Sequence, residues 1–434
     1  MQSLFPILLL ALGQAALAAG AAAPAADPSD LPPSEQALAA IVKSPMVRTA
    51  EAMLTAGREE KNRLEAGPHE WTVRMESQRR RVRATPPDAT PDQRYNEWIV
   101  GLERPLRMPG KAGADSALGE QGVQQAIIAV DDARHESGRL LLRQWFAWLR
   151  EQETLTQWTA QAELLGKQRA AVSRRLALGD ASRLELAQAE AAAAQAEAEQ
   201  ARALARRDTA RIELNKRFPS LALPAQVTLS TPRPVEGSLD SWRQQLFAQQ
   251  HELRLARADS QRMRLLAARV DADRVPDPTV GVRLSNEFGG NEKIVGLSLA
   301  IPLSGGNRAA AARAQSAYAA AAAEREAEVL AKVEAEIDSQ YASAKAAWAS
   351  WQRAAEATQR MDQAGELVVR AHALGEAGLA EVLLARRQAH DARLAARLAQ
   401  LDALETHYRL ELDAHHLWAD DDEDAQDGDK QPGR

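Results

Sequence analysis

The chain has 434 residues, enough for two or three ordinary domains, yet only 4% are aromatic and long stretches use little beyond Ala, Leu, Glu, Gln and Arg. Such a composition suits long helices packed side by side better than a compact globular core. The formal charge of −6, with both signs interspersed, gives no overall attraction for nucleic acid. The absence of cysteine excludes disulfides, thiolate metal sites, a cysteine nucleophile and a lipid anchor on an N-terminal cysteine.

In chain order, residues 1–18 read as a secretory signal peptide: an apolar run from Leu4 to Ala18, with Ala16 and Ala18 placed before a cleavage point. Its start, Met1-Gln2-Ser3, lacks the usual basic residue. Residues 19–33, rich in Ala, Pro and Asp, form an unstructured lead-in. No later stretch is apolar enough for a membrane-spanning helix, which leaves a periplasmic protein, a secreted protein or an outer-membrane β-barrel.

A first structural unit over 34–219 opens with a helical pattern from about 33 to 66, ending at Gly67-Pro68. A β-hairpin follows at about 71–106. Trp71, Val73 and Met75 alternate with polar residues, and Trp98, Val100 and Leu102 form the return strand. Between them lies a long polar connection holding Arg79-Arg80-Arg81, Arg83, Pro86-Pro87 and Pro91. From 112 to 177 no proline intervenes, so one helix of roughly 100 Å is expected. Leu178-Gly179-Asp180 then reverses the chain into a return helix over 182–217.

After a linker at 220–238, the plan recurs over 239–418. It comprises a helix (239–274), a hairpin (279–303) turning at Gly289-Gly290-Asn291, a long helix (308–373), a Leu374-Gly375-Glu376 reversal and a return helix (379–418). Gly375 lies 196 positions after Gly179, and Pro302-Leu303 lies 197 after Pro105-Leu106. Two unrelated motifs at nearly one offset mark a tandem duplication. Residues 419–434, with Asp420-Asp421-Asp422-Glu423-Asp424, read as an acidic disordered tail.

The alternation also fits a soluble sandwich. In lipid, however, four strands cannot close a barrel, and an open sheet edge is not tolerated. Three pooled copies give about twelve strands, a feasible barrel. Alanine runs such as Ala191 to Ala194 and Ala319 to Ala323 let helices approach closely and wrap around one another. A fold that is mainly α, internally duplicated, with a trimeric helical cylinder continuous with a small twelve-stranded transmembrane β-barrel, follows from these features.

The two Pro-Leu strand exits, the two Arg-x-x-x-x-Gly reversals (Arg174 to Gly179, Arg370 to Gly375) and the Leu/Val-rich starts of the return helices resemble the TolC-like outer membrane efflux proteins over about 33–418. This resemblance implies a homotrimeric, passive exit channel in the Gram-negative outer membrane, reaching into the periplasm. Its implied partners are a periplasmic adaptor protein, an inner-membrane pump and outer-membrane lipid, in an efflux or type I secretion system. By the same resemblance Leu178, Gly179, Asp180, Leu374, Gly375 and Glu376 form adaptor-docking periplasmic tips. Glu381 matches a residue that narrows the pore in some members, whereas Leu384 stands where a second acidic ring would need a carboxylate. Glu185, the repeat mate of Glu381, ranks lower.

Other features admit plainer readings. Arg79, Arg80, Arg81 and Arg83 suit a solvated loop, or contact with anionic lipid headgroups. His415 and His416 before the acidic tail suggest loose cation capture at most. Trp71 and Trp98 suit an interfacial belt. No phosphate loop, HExxH or nucleophile elbow is present, so neither an enzyme nor a cofactor is expected. The alternative is a soluble periplasmic coiled-coil adaptor or scaffold, which would carry a single helical hairpin and one β-rich region.

Overall fold

The computed structural model describes residues 30–83, 92–225 and 227–418. The signal segment, nearly all of the lead-in, the acidic tail and Pro86, Pro87 and Pro91 lie outside the described residues.

Each half contributes two short helices, a strand pair, one long helix and a return helix. The first half holds α1 (Ser34–Val42), α2 (Pro45–Ala66), β1 (Thr72–Val82), β2 (Gln93–Pro105), α3 (Lys111–Ala177) and α4 (Arg183–Arg217). The second holds α5 (Leu239–Ala248), α6 (His251–Ala272), β3 (Thr279–Glu287), β4 (Glu292–Ala300), α7 (Gly306–Ala373) and α8 (Leu379–Asp413). The long helices have 67 and 68 residues, and the return helices 35 each. At 1.5 Å per residue α3 and α7 each span about 100 Å.

Two features differ from the sequence pattern. The helix expected over 33–66 is broken at Ser44, because Pro45 disfavours a helical residue before it. Ser44 takes the N-cap instead, its Oγ accepting from Val47 N–H at 3.3 Å. The matching break at Gln249 and Gln250 has no proline, and no local residue explains it. The first hairpin is also longer than its apolar alternation: Arg79, Arg80 and Arg81 lie in β1, paired with Asn96, Tyr95 and Arg94 of β2.

Packing varies with height along the helices. Buried alanines of α4 at 189, 193, 196 and 203 follow a three-four spacing; Ala193 and Ala196 pack against Ala162 and Leu165 of α3, and Ala189, nearer the tip, against Val172 and Leu379. Halfway along, Leu141, Leu142, Trp145 and Phe146 of α3 meet Leu401, Leu404 and Tyr408 of α8 in an aromatic-rich equator. The second half repeats this with Trp242 and Leu246 of α5 and Leu253 of α6 against Val333 and Ile337 of α7. Each such large side chain, fully buried, contributes about 1.5–3 kcal/mol.

Candidate functional site: strand wall, helix reversals and equator

The four strands form one antiparallel sheet in the order β1-β2-β3-β4, leaving β1 and β4 as open edges. Register sorts its side chains into two unlike faces, since successive residues point to opposite sides. One face carries the rows Val73–Leu102–Val282–Leu297 and Met75–Val100–Leu284–Val295, followed by Val280 and Leu299. Most of these are exposed in the single chain, Leu297 at 87%. Lys293, Asn286 and Asn96 border that face towards the hairpin tips.

The opposite face carries Thr72–Glu103–Gly281–Ser298 and Arg74–Gly101–Arg283–Gly296. Its glycines make room for long side chains. A Cβ on Gly281 would stand 2.6 Å from Ser298 Oγ and 2.8 Å from Glu103 Cγ. On the same face Glu97, only 1% exposed, accepts from Gln78 at 2.8 Å and from Phe288 N–H at 3.1 Å. Arg80 Nε lies 3.2 Å from Glu97, and its guanidinium sits over the Phe288 ring at 4.7 Å. The arginine run is therefore wired into the sheet: Arg80 reaches Glu97 and Glu287, Arg79 donates to Asn96, and Arg81 pairs with Asp92. Trp71 and Trp98 are both exposed, with Arg104 over the Trp71 ring at 5.2 Å.

At the far end of the helices both reversals use one hydrogen-bond pattern. Asp180 N–H bonds Arg175 C=O at 2.8 Å and Gly179 N–H bonds Leu176 C=O at 3.0 Å. Glu376 and Gly375 repeat this on Ala371 and His372, at 2.8 and 3.0 Å. Both glycines sit at φ 81°, the left-handed conformation this helix ending requires. Leu178 and Leu374 project outward, 84% and 75% exposed. The six tip residues singled out from sequence are thus gathered at two matching reversals.

The start of each return helix occupies its acidic residue. Ser182 and Glu185 cap α4 reciprocally, at 2.7 and 3.1 Å. In α8 the N-cap is Gly378, which has no side chain, so only the return half exists: Glu381 Oε2 accepts from Gly378 N–H at 3.0 Å. The hydrogen bond to Ser182 N–H draws the Glu185 carboxyl below its usual range. Glu381 is exposed and Leu384 beside it is exposed and apolar.

Two charge networks escape sequence reading because their members are far apart in the chain. Where strands meet helices, buried Lys111 donates to Val275 C=O at 2.7 Å and lies 2.9 Å from Asp277, which also takes His69 and the Met108 N–H. Asp115 beside it is held by Arg107 and Arg269. At the equator buried Asp413 accepts from Arg139 (2.7 Å), Arg409 (2.9 Å) and Gln340 (3.0 Å). His416 Nδ1 bonds Glu411 at 2.8 Å. Among the described residues no group of His, Asp or Glu is arranged to hold a metal ion. No helix there is long and apolar enough to cross a membrane, which says nothing of a barrel.

No protein-family model matches the sequence, and no curated protein matches it. Solved structures do match. The Campylobacter jejuni CmeC outer membrane channel superimposes with a TM-score of 0.74 at 12% identity, covering 91% of this chain and 89% of that one. The Vibrio cholerae outer membrane protein VceC gives 0.68 at 17% identity, over 89% and 95%. The open-state Neisseria gonorrhoeae MtrE outer membrane channel gives 0.62 at 17%, over 89% of each. In its helices, its strand pairs and their order, the chain has the fold of the TolC-like outer membrane channels.

Proposed function

We propose that three copies of this chain form a passive exit channel of the Gram-negative outer membrane, serving a tripartite efflux or type I secretion system. The observation that carries this reading is the sheet. It has one apolar face, one polar face lined with glycines and charges, and two unpaired edges, and it runs on into helices of about 100 Å. In lipid the edges of β1 and β4 must be paired, and a neighbouring copy supplies the complementary edge. Twelve strands then enclose the polar face and turn the apolar one to the membrane.

Residues 1–18 direct export, 34–219 and 239–418 are the two repeats joined by 220–238, and 419–434 is an acidic tail. The reversals at Leu178-Gly179-Asp180 and Leu374-Gly375-Glu376 dock a periplasmic adaptor, through which an inner-membrane pump supplies the energy. Glu381 is the gate candidate, although its carboxylate is already engaged in capping α8. We assign the chain no catalytic step of its own. A soluble helical scaffold, the alternative, has no use for an apolar face spread over four strands.

Electron microscopy of the full-length protein, purified in detergent from the membrane fraction, tests this. A threefold particle with a detergent-belted barrel and a cylinder of roughly 100 Å is expected. A water-soluble rod without a belt overturns the channel.

A further inference from the structure

In the second helical hairpin, α7 and α8 come together through small residues. Gly365 of α7 is buried, and a Cβ placed on it would lie 3.9 Å from both Ala385 C=O and Ala389 Cβ of α8. Arg386 stands beside this contact, about 10 Å along α8 from its first residue Leu379. One turn further on, buried His390 packs its ring on Trp158 of α3 at 4.2 Å, which holds α8 against α3 as well. Between these helices runs a groove of about 410 Å³. Its charged lining is Asp362, Glu366 and Arg370 from α7 and Arg386 and Arg393 from α8, with Leu164 of α3 at one side.

Three of these charges are positive and two negative, and both negative ones are engaged. Asp362 accepts from Arg393 at 2.9 Å and lies 2.8 Å from its second nitrogen. Glu366 stands 3.7 Å from Arg370, one turn along α7. Arg386 is left over. Its Nη1 is buried, and among the described residues its guanidinium makes no hydrogen bond or ion pair. Burial pushes this guanidinium down from its ordinary value, and no neighbouring carboxylate opposes the shift. Arginine keeps its proton in proteins, so the groove holds a half-buried positive charge without a counter-charge.

The chemistry of the unpaired group selects its ligand. A guanidinium presents its N–H donors in a planar fork, which fits two oxygens of one oxyanion and gives nothing comparable to chloride. Arg370 and Arg393 line the same groove, so an oxyanion on Arg386 gains two further positive neighbours. Leu164 and Val369 give the groove apolar walls, and the lowered local dielectric strengthens a charge-assisted bond. A cation meets the opposite situation, because the only charge left unengaged has its own sign.

We propose that this groove binds a phosphate-class oxyanion, held by Arg386 between Arg370 and Arg393, which pins α7 to α8 behind the Leu374-Gly375-Glu376 reversal. The anion supplies the missing counter-charge, so the end of the second hairpin is firmer with it than without it. The first hairpin has no such device. At the 196-position offset of the duplication, Glu190 stands where the second repeat has Arg386. The site is built from a single chain and stands whether or not three copies assemble as a channel.

Hydrogen–deuterium exchange of the full-length protein in detergent tests the site, with about 20 mM inorganic phosphate compared against sodium chloride of equal ionic strength. A dissociation constant on the order of 1 mM should slow exchange over 362–370 and 386–393 at least about fivefold in phosphate. The matching segments of the first hairpin, 166–174 and 190–197, should not respond. Arg386→Gln should lose the slowing. Arg360→Gln, which removes an exposed arginine of α7 paired with Glu356 outside the groove, should keep it. No difference between phosphate and chloride in the parent protein overturns the proposal; that is the result if water or a carboxylate of another chain fills the groove. Slowing that survives in Arg386→Gln, or that spreads equally to the first hairpin, overturns it too. Should Arg386→Gln fail to fold, Arg386→Lys decides: it keeps the charge but not the fork, and an undiminished phosphate effect there counts against the site.

Discussion

Two buried carboxylates at the equator look alike by burial and behave oppositely. For Asp413, burial pushes the carboxyl up, but the bond from His135 and the charges of Arg139 and Arg409 more than reverse this and hold it well below the usual range. A depressed folded value adds stability above the ordinary carboxylate range, and that stability is lost only as pH falls through the depressed value. For Asp30, burial outweighs the bonds from Ser230 and Tyr408 and leaves the carboxyl raised. Burial likewise pushes the Tyr408 hydroxyl up to about 12. Ionised Asp30 therefore costs stability at neutral pH, and the cost disappears as the group is protonated. At pH 7, Asp413→Asn should cost about 1.5–3 kcal/mol, because it takes a charged hydrogen-bond partner from half-buried Arg409 and leaves half-buried Arg139 only Glu136. Asp30→Asn should stay within about 1 kcal/mol of the parent, its oxygen still accepting from Ser230 and Tyr408. Thermal melts of both variants check the contrast; equal losses would refute it. At the tips, a Cβ on Gly375 meets nothing within 4 Å, so Gly375→Ala is opposed by the φ of 81° alone. About 1 kcal/mol of local strain should raise amide exchange over 370–378 roughly fivefold, with Gly375→Asn in between.

At the scale of elements, the polar face of the sheet is set by what its glycines leave empty. Gly281→Ala should cost about 1–3 kcal/mol by overpacking, and Ser298→Ala should return part of it, because Ser298 Oγ is the nearest obstacle to the new Cβ. The yield of folded, membrane-inserted protein reads both; a double variant no better than the single would show that the backbone, not the hydroxyl, sets the limit. The β3–β4 alternation is legible in sequence because one face is apolar and its turn is glycine-rich. Both reversals are legible because only glycine sits comfortably at their positive φ. The arginine run of β1 is not, since three charges in a row read as a loop until Glu97, Glu287, Asp92 and Asn96 arrive from other parts of the chain. For the same reason Lys111 and Asp413 are hidden: their partners lie up to 166 and 278 positions away. Glu381 shows the converse, a residue visible from family resemblance whose immediate bonding is that of an ordinary helix start.

For the whole molecule, the open question of its surroundings turns on one face. Leu297 is 87% exposed in a row with Val73, Leu102 and Val282. A protein that keeps this face in water would gain solubility from Leu297→Arg and lose little stability, since exposed substitutions seldom exceed about 0.5 kcal/mol. A barrel that turns it to lipid would lose about 2–4 kcal/mol per chain near the bilayer midplane, and three times that in a trimer. The tips, about 100 Å away along the helices, would not feel the change directly. If three copies close the proposed barrel, Leu297→Arg should therefore abolish their oligomer in the membrane fraction while leaving the helical content of the single chain intact. Oligomer bands on unheated gels and far-ultraviolet circular dichroism separate the two cases. An oligomer unaffected by the arginine would mean that β4 does not face lipid, and the apolar rows would then have to be covered by protein.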